Sequence, residues 1–170
     1  AGTTTFNAAN DIDVNLTNAT VAAVATDGFV IVSDATGTAT SILIGSAGLD
    51  TITGGDQIDT LTGLAGNDII VGGAGADIID GGVGNDIISG GTGVDIITVN
   101  SGTDAVTLIK TEADRVNIGN GATANIAEGG AAQVFVTAAG GTAVVAVAAT
   151  AKQIRVRKII SIRQSRNEVK

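Results

Sequence analysis

The chain has 170 residues, a net charge of −8, and no Cys, His, Met, Pro, Trp or Tyr. Without Cys or His these residues hold no disulfide scaffold, thiol nucleophile, Ser–His triad or zinc site. Residues 1–151 carry 16 acids against two bases, and residues 152–170 carry seven bases against one acid; the acidic body repels phosphate, which argues against nucleic acid and for a cation partner.

The only aromatics are Phe6, Phe29 and Phe135, while Gly, Ala and Thr dominate. A core of Ile, Val and Ala without aromatics predicts thin, stacked β-structure, and so much Gly and Thr disfavours helix. With no Met, the chain reads as a fragment or as having lost its initiator.

Residues 1–44 read as a region of short strands. Asp11 to Thr17 alternates, with Ile12, Val14 and Leu16 on one face. Thr20 to Thr26 and Phe29 to Ser33 flank Asp27-Gly28, a dipeptide that predicts a two-residue hairpin. Thr40 to Ile44 leads into the next segment.

From Gly45 the sequence repeats every nine residues without a gap: GSAGLDTIT, GGDQIDTLT, GLAGNDIIV, GGAGADIID, GGVGNDIIS, GGTGVDIIT, then a degenerate VNSGTDAVT ending at Thr107. Such a period defines an architecture. Place six is always Asp: Asp50, Asp59, Asp68, Asp77, Asp86, Asp95 and Asp104. Place eight is always aliphatic, from Ile52 to Val106.

Each repeat is a glycine-rich turn followed by a strand at places seven to nine. One inward side chain per strand cannot bury anything alone, so the strands must stack. Two repeats make an 18-residue coil with one strand in each of two parallel sheets. Asp50, Asp68, Asp86 and Asp104 then form one ladder, and Asp59, Asp77 and Asp95 the other. Parallel strands lie about 4.8 Å apart, and carboxylates at that spacing repel unless a cation lies between them. The available ligands are carboxylates and carbonyls, all hard oxygens, which favour calcium. Asp56 and Asp80 are additional acids; Asp56 reads either as solvated or as assisting a site. Place seven, Ile69, Ile78, Ile87 and Ile96, reads as outward-facing, either strand filler or a contact surface.

Residues 108–151 read as a second region of strands, at Ala105 to Ile109, Arg115 to Ile118, Gln133 to Ala138 and Thr142 to Val147, the last two joined as a hairpin by Gly140-Gly141. Ala131 to Ala151 is also free of charge throughout and is followed by bases, the outline of a membrane span. Its Gly-Gly centre and Ala-rich content favour strands instead. The basic tail, residues 152–170, fits a flexible tail, a basic edge strand, a sequence of different origin, or an arm that docks on an acidic neighbour.

The motif GGxGxDxUx, with U aliphatic, occurs three times in succession in residues 72–98. It resembles the RTX (repeats-in-toxin) calcium-binding family. The resemblance implies a parallel β-roll over residues 45–107, with Ca2+ held between turns two repeats apart. The implied ligands are the seven place-six aspartates and backbone carbonyls of the turn glycines Gly72, Gly73, Gly75, Gly81, Gly82, Gly84, Gly90, Gly91 and Gly93. The implied bridges are Asp50–Asp68, Asp68–Asp86, Asp86–Asp104, Asp59–Asp77 and Asp77–Asp95, so up to about five ions. Ser46, Leu64 and Gln57 depart from the motif's glycines.

The family resemblance also implies type I secretion and calcium-driven folding outside the cell. The Gly/Ala/Thr-rich, acidic, Cys-free composition is similar to that of bacterial S-layer proteins of the RTX type. The expectation is therefore a non-enzymatic component of a surface lattice that self-associates. A calcium-folded module of a secreted toxin, enzyme or adhesin, its active domain outside this chain, is the alternative.

Overall fold

The computed structural model describes residues 4–8, 14–15, 28–33, 40–108, 114–119, 122–128, 135–138, 142–147 and 155–157. Its described elements are all strands, in two eight-stranded sheets. The first sheet holds β1 (Thr4–Ala8), β3 (Phe29–Ser33), β5 (Thr51–Gly55), β7 (Ile69–Ala74), β9 (Ile87–Thr92), β11 (Gly102–Leu108), β13 (Ala122–Glu128) and β15 (Thr142–Val147), in that order. The second holds β2 (Val14–Asn15), β4 (Ile42–Ile44), β6 (Thr60–Thr62), β8 (Ile78–Asp80), β10 (Ile96–Val99), β12 (Arg115–Ile118), β14 (Phe135–Ala138) and β16 (Arg155–Arg157).

Consecutive strands alternate between the sheets, and every pair within a sheet is parallel. That is the parallel β-roll the period predicts. In the repeats, partners in both sheets lie two nonapeptides apart, as in Thr51↔Ile69↔Ile87↔Ala105 and Ile42↔Thr60↔Ile78↔Ile96.

The place-eight side chains line up in two inner columns. Ile31, Ile52, Ile70, Ile88, Val106 and Ile126 are in register in the first sheet. Leu43, Leu61, Ile79, Ile97 and Val116 are in register in the second. All are 0–1% exposed. Burying one such side chain contributes about 1.5–3 kcal/mol, so the roll is held by a one-residue-wide core repeated coil after coil. Place seven turns outward: Ile78 is 49% exposed while its neighbour Ile79 is 0%. Ile79→Ala is expected to lower stability in excess calcium by about 2–5 kcal/mol, and Ile78→Ala by about 0.5 kcal/mol or less. Urea midpoints of the two variants check this.

Two readings change outside the repeats, and a third is narrowed. The hairpin expected at Gly140-Gly141 is not formed: β14 and β15 lie in different sheets, each parallel to its neighbours. A Gly-Gly pair signals backbone freedom and does not specify which strand its neighbours pair with. Around Asp27-Gly28, Thr20 to Thr26 lies outside the described residues, while β3 pairs parallel with both β1 and β5. From the tail, Arg155–Arg157 is an edge strand of the second sheet, the basic edge strand among the readings above. No helix among the described residues is long and apolar enough to cross a membrane.

Strands of the flanking segments thus join the same two sheets as the repeats. Their register steps are irregular: Val30↔Thr51, Ile96↔Arg115 and Gly102↔Ala122 each overrun two nonapeptides, and each by a different amount. The odd-numbered strands β7 and β9 also run past place nine into the next glycines, pairing Gly55↔Gly73↔Gly91.

Candidate metal centre

Every place-six aspartate is buried, none more than 1% exposed. Side chains alternate along a strand, so Asp at six and the aliphatic at eight point inward together. The sequence therefore places a carboxylate at the mouth of each core rung.

One oxygen of each carboxylate has a clear task. Oδ1 accepts a hydrogen bond from the backbone amide of the place-six residue one coil earlier. Asp68 accepts from Asp50 N at 2.8 Å, Asp86 from Asp68 N at 2.9 Å and Asp104 from Asp86 N at 2.9 Å. On the other ladder Asp77 accepts from Asp59 N at 2.9 Å and Asp95 from Asp77 N at 3.0 Å. The structure brings together the same pairs that the 18-residue coil predicts.

The second oxygen is different. Oδ2 of Asp59, Asp68, Asp77, Asp86 and Asp104 is buried with no hydrogen-bond partner. A buried ionised carboxylate in that condition costs several kcal/mol. Burial is the main reason that Asp68 and Asp77 are pushed up to about 7 and Asp86 to about 6, with the neighbouring aspartates of each ladder adding to the rise. Asp59 and Asp104 are raised for the same first reason, burial. The backbone amide that each carboxylate accepts pulls the other way.

The turn glycines put carbonyls beside these oxygens. A Cβ on Gly72 would lie under 3.0 Å from both Asp77 Oδ2 and the Gly90 carbonyl of the next coil. The same holds at Gly63 for Asp68 Oδ2 and Gly81 O, and at Gly54 for Asp59 Oδ2 and Gly72 O. At these three turns place one has no room for a side chain, because a carboxylate and a carbonyl share that space. Among the described residues no group of three acidic side chains converges on one point. A cation held here therefore takes much of its ligand set from the backbone. An orphaned carboxylate oxygen beside glycine carbonyls, with no nitrogen or sulfur donor, fits Ca2+. Asp77, Asp68 and Asp59, with Gly72, Gly81 and Gly90, are the residues the geometry brings together most directly.

Place four needs glycine for a second reason. Gly84 has φ 144°, and a Cβ there would press into the Gly66 carbonyl of the preceding coil. Gly84→Ala is expected to cost at least about 2 kcal/mol, from backbone strain plus loss of turn stacking. Thermal unfolding in excess calcium measures it. Gly73, Gly75, Gly82, Gly91 and Gly93 share a positive φ. Leu64 is the single non-glycine with positive φ among the described residues, at 79°, at the second place where other copies have glycine.

Sequence reasoning misses one rung. Asp114 is fully buried, and its Oδ1 accepts from Asp95 N at 3.0 Å, extending the second ladder. The signal is present as Asp114-Arg115-Val116, an Asp with an aliphatic two places on, shifted by one inserted residue. Ser41 also occupies a place-six position, its amide donating to Asp59 Oδ1 at 2.7 Å. The additional acids hold no cation-like position. Asp56 is exposed. Asp80 Oδ1 accepts from Gly82 N at 3.1 Å and from Asn100 Nδ2 at 2.6 Å.

Neither the curated proteins nor the solved structures compared with this chain give a match. Residues 37–70, 44–79, 53–88 and 71–106 match the family model of the RTX calcium-binding nonapeptide repeat, so residues 37–106 are similar to RTX calcium-binding repeats.

Proposed function

We propose that the chain is a calcium-dependent structural protein of the bacterial cell surface, a component of an S-layer lattice. Its RTX repeats fold on binding Ca2+ outside the cell, after export through a type I route while unfolded. The observation that carries the calcium reading is the buried, partnerless Oδ2 repeated along both ladders. A cation supplies the missing charge at each, and its binding free energy becomes folding free energy.

Two features support the lattice. The Gly/Ala/Thr-rich, Cys-free, aromatic-poor composition continues up to residue 151 on both sides of the repeats, and residues 1–44 carry four acids and no base. The outward rows of both sheets carry exposed aliphatics, Ile69 and Ile87 on one and Ile42, Ile78 and Ile96 on the other, which suit contact with another subunit. The second reading is a calcium-folded module of a secreted toxin, enzyme or adhesin whose active domain lies elsewhere, and the family match supports it equally.

A calcium titration followed by light scattering and electron microscopy separates them. The lattice reading expects ordered sheets or filaments at millimolar calcium. A chain that folds with calcium yet stays strictly monomeric removes the lattice and leaves the module.

A further inference from the structure

We propose that Ser46 stands in for a cation at Asp50, so that the N-terminal end of the first ladder closes without an ion. This rests on the calcium reading of the other rungs.

Asp50 is as buried as its counterparts, at 0% exposure, but both of its oxygens are partnered. Oδ1 accepts from Phe29 N at 2.6 Å, as the ladder pattern requires. Oδ2 accepts from Ser46 N at 2.7 Å. The Ser46 hydroxyl lies 3.1 Å from Oδ2 and 3.2 Å from Oδ1. That hydroxyl also accepts from Gly48 N at 3.1 Å, which leaves its proton for the carboxylate. Ser46 is itself buried, at 5% exposure.

The later rungs of this ladder lack the arrangement, each for a visible reason. The residue equivalent to Ser46 is Leu64 beside Asp68, and Leu64 has no side-chain donor. Beside Asp86 it is Gly82, whose amide donates to Asp80. Beside Asp104 it is Asn100, whose side-chain amide also donates to Asp80. Asp68, Asp86 and Asp104 all keep an orphaned Oδ2. Ser46 thus departs from the repeat's second glycine in a way that gives Asp50 Oδ2 hydrogen-bond partners, though no charge, where a cation would otherwise sit. It fixes where the ion-dependent part of the ladder begins.

The test is the calcium stoichiometry of the intact chain by equilibrium dialysis, for the wild type, Ser46→Gly and Ser46→Ala. Both substitutions remove the hydroxyl and leave Asp50 Oδ2 only the backbone amide at position 46, and Ser46→Gly restores the repeat glycine, so the fold in calcium should persist. Each variant is expected to bind one more calcium ion per chain than the wild type. A merely structural role for Ser46 would lower stability without adding an ion. Unchanged stoichiometry in both variants, with the wild type binding calcium, overturns the inference and leaves the calcium reading standing. A wild type that binds no calcium overturns both.

Discussion

In excess chelator the chain is expected to lose the β-strand signal of its far-ultraviolet circular dichroism, and millimolar calcium should restore it. The size of the effect follows from the ladders. Among the described residues, Asp59, Asp68, Asp77, Asp86 and Asp104 each bury an oxygen without a partner, at several kcal/mol each when ionised. A domain has only about 5–15 kcal/mol of net stability. At neutral pH the calcium-free roll must therefore unfold or protonate. Calcium at a hundred times its dissociation constant adds about 2.7 kcal/mol per independent site, so a few sites reverse the balance. A β-signal that persists unchanged in chelator at pH 8 would show that the ladders carry no such penalty.

The pH dependence should have opposite signs with and without calcium. Asp68 and Asp77 are raised to about 7, and Asp86 to about 6, from an ordinary 3.8. Between those limits the folded chain binds more protons than the unfolded one. Stability then falls as pH rises, by up to about 1.4 kcal/mol per pH unit for each group that differs. From these groups the calcium-free roll should therefore be most stable at or below about pH 4, lose stability progressively as pH rises from there, and have lost this contribution above about pH 7. Calcium requires the ionised carboxylate, so its affinity should rise over the same window. Melting curves at pH 5 and pH 8, each with chelator and with calcium, check both signs. A calcium-free form that is more stable at pH 8 than at pH 5 would contradict the burial of these groups.

Within residues 45–107 the fold and the candidate site are legible because one physical rule recurs without interruption. Asp at six, an aliphatic at eight and glycines at the turn specify the inward column, the ladder and the corner at once. Outside that span the same rule is applied with loops of unequal length. The steps from Ile96 to Arg115 and from Gly102 to Ala122 both exceed two nonapeptides, by different amounts, so no period survives to be counted. Asp114 escapes the pattern for that reason. β13 escapes it because Ala122–Glu128 places Ala124 where the repeats have Asp, in register with Asp104. Gly140-Gly141 misleads because a glycine pair signals backbone freedom and does not say with which strand, or in which direction, the flanking strands pair. Ser46 reads as a weak copy of the motif, and its meaning depends on Phe29 from a different coil.

The 18-residue register has a mechanical consequence. Among the described residues the strands of each coil pair only with those of the coils before and after it, so tension applied to the two ends meets no pairing that spans several coils. The chain should pay out one coil at a time, each releasing at most about 60–65 Å of contour length at roughly 3.3–3.6 Å per residue. Force would rise and fall in equal steps across the repeats, with steps of a different length where the loops lengthen beyond Asp104. A cation that ties adjacent coils together would raise the height of each step and leave its length unchanged.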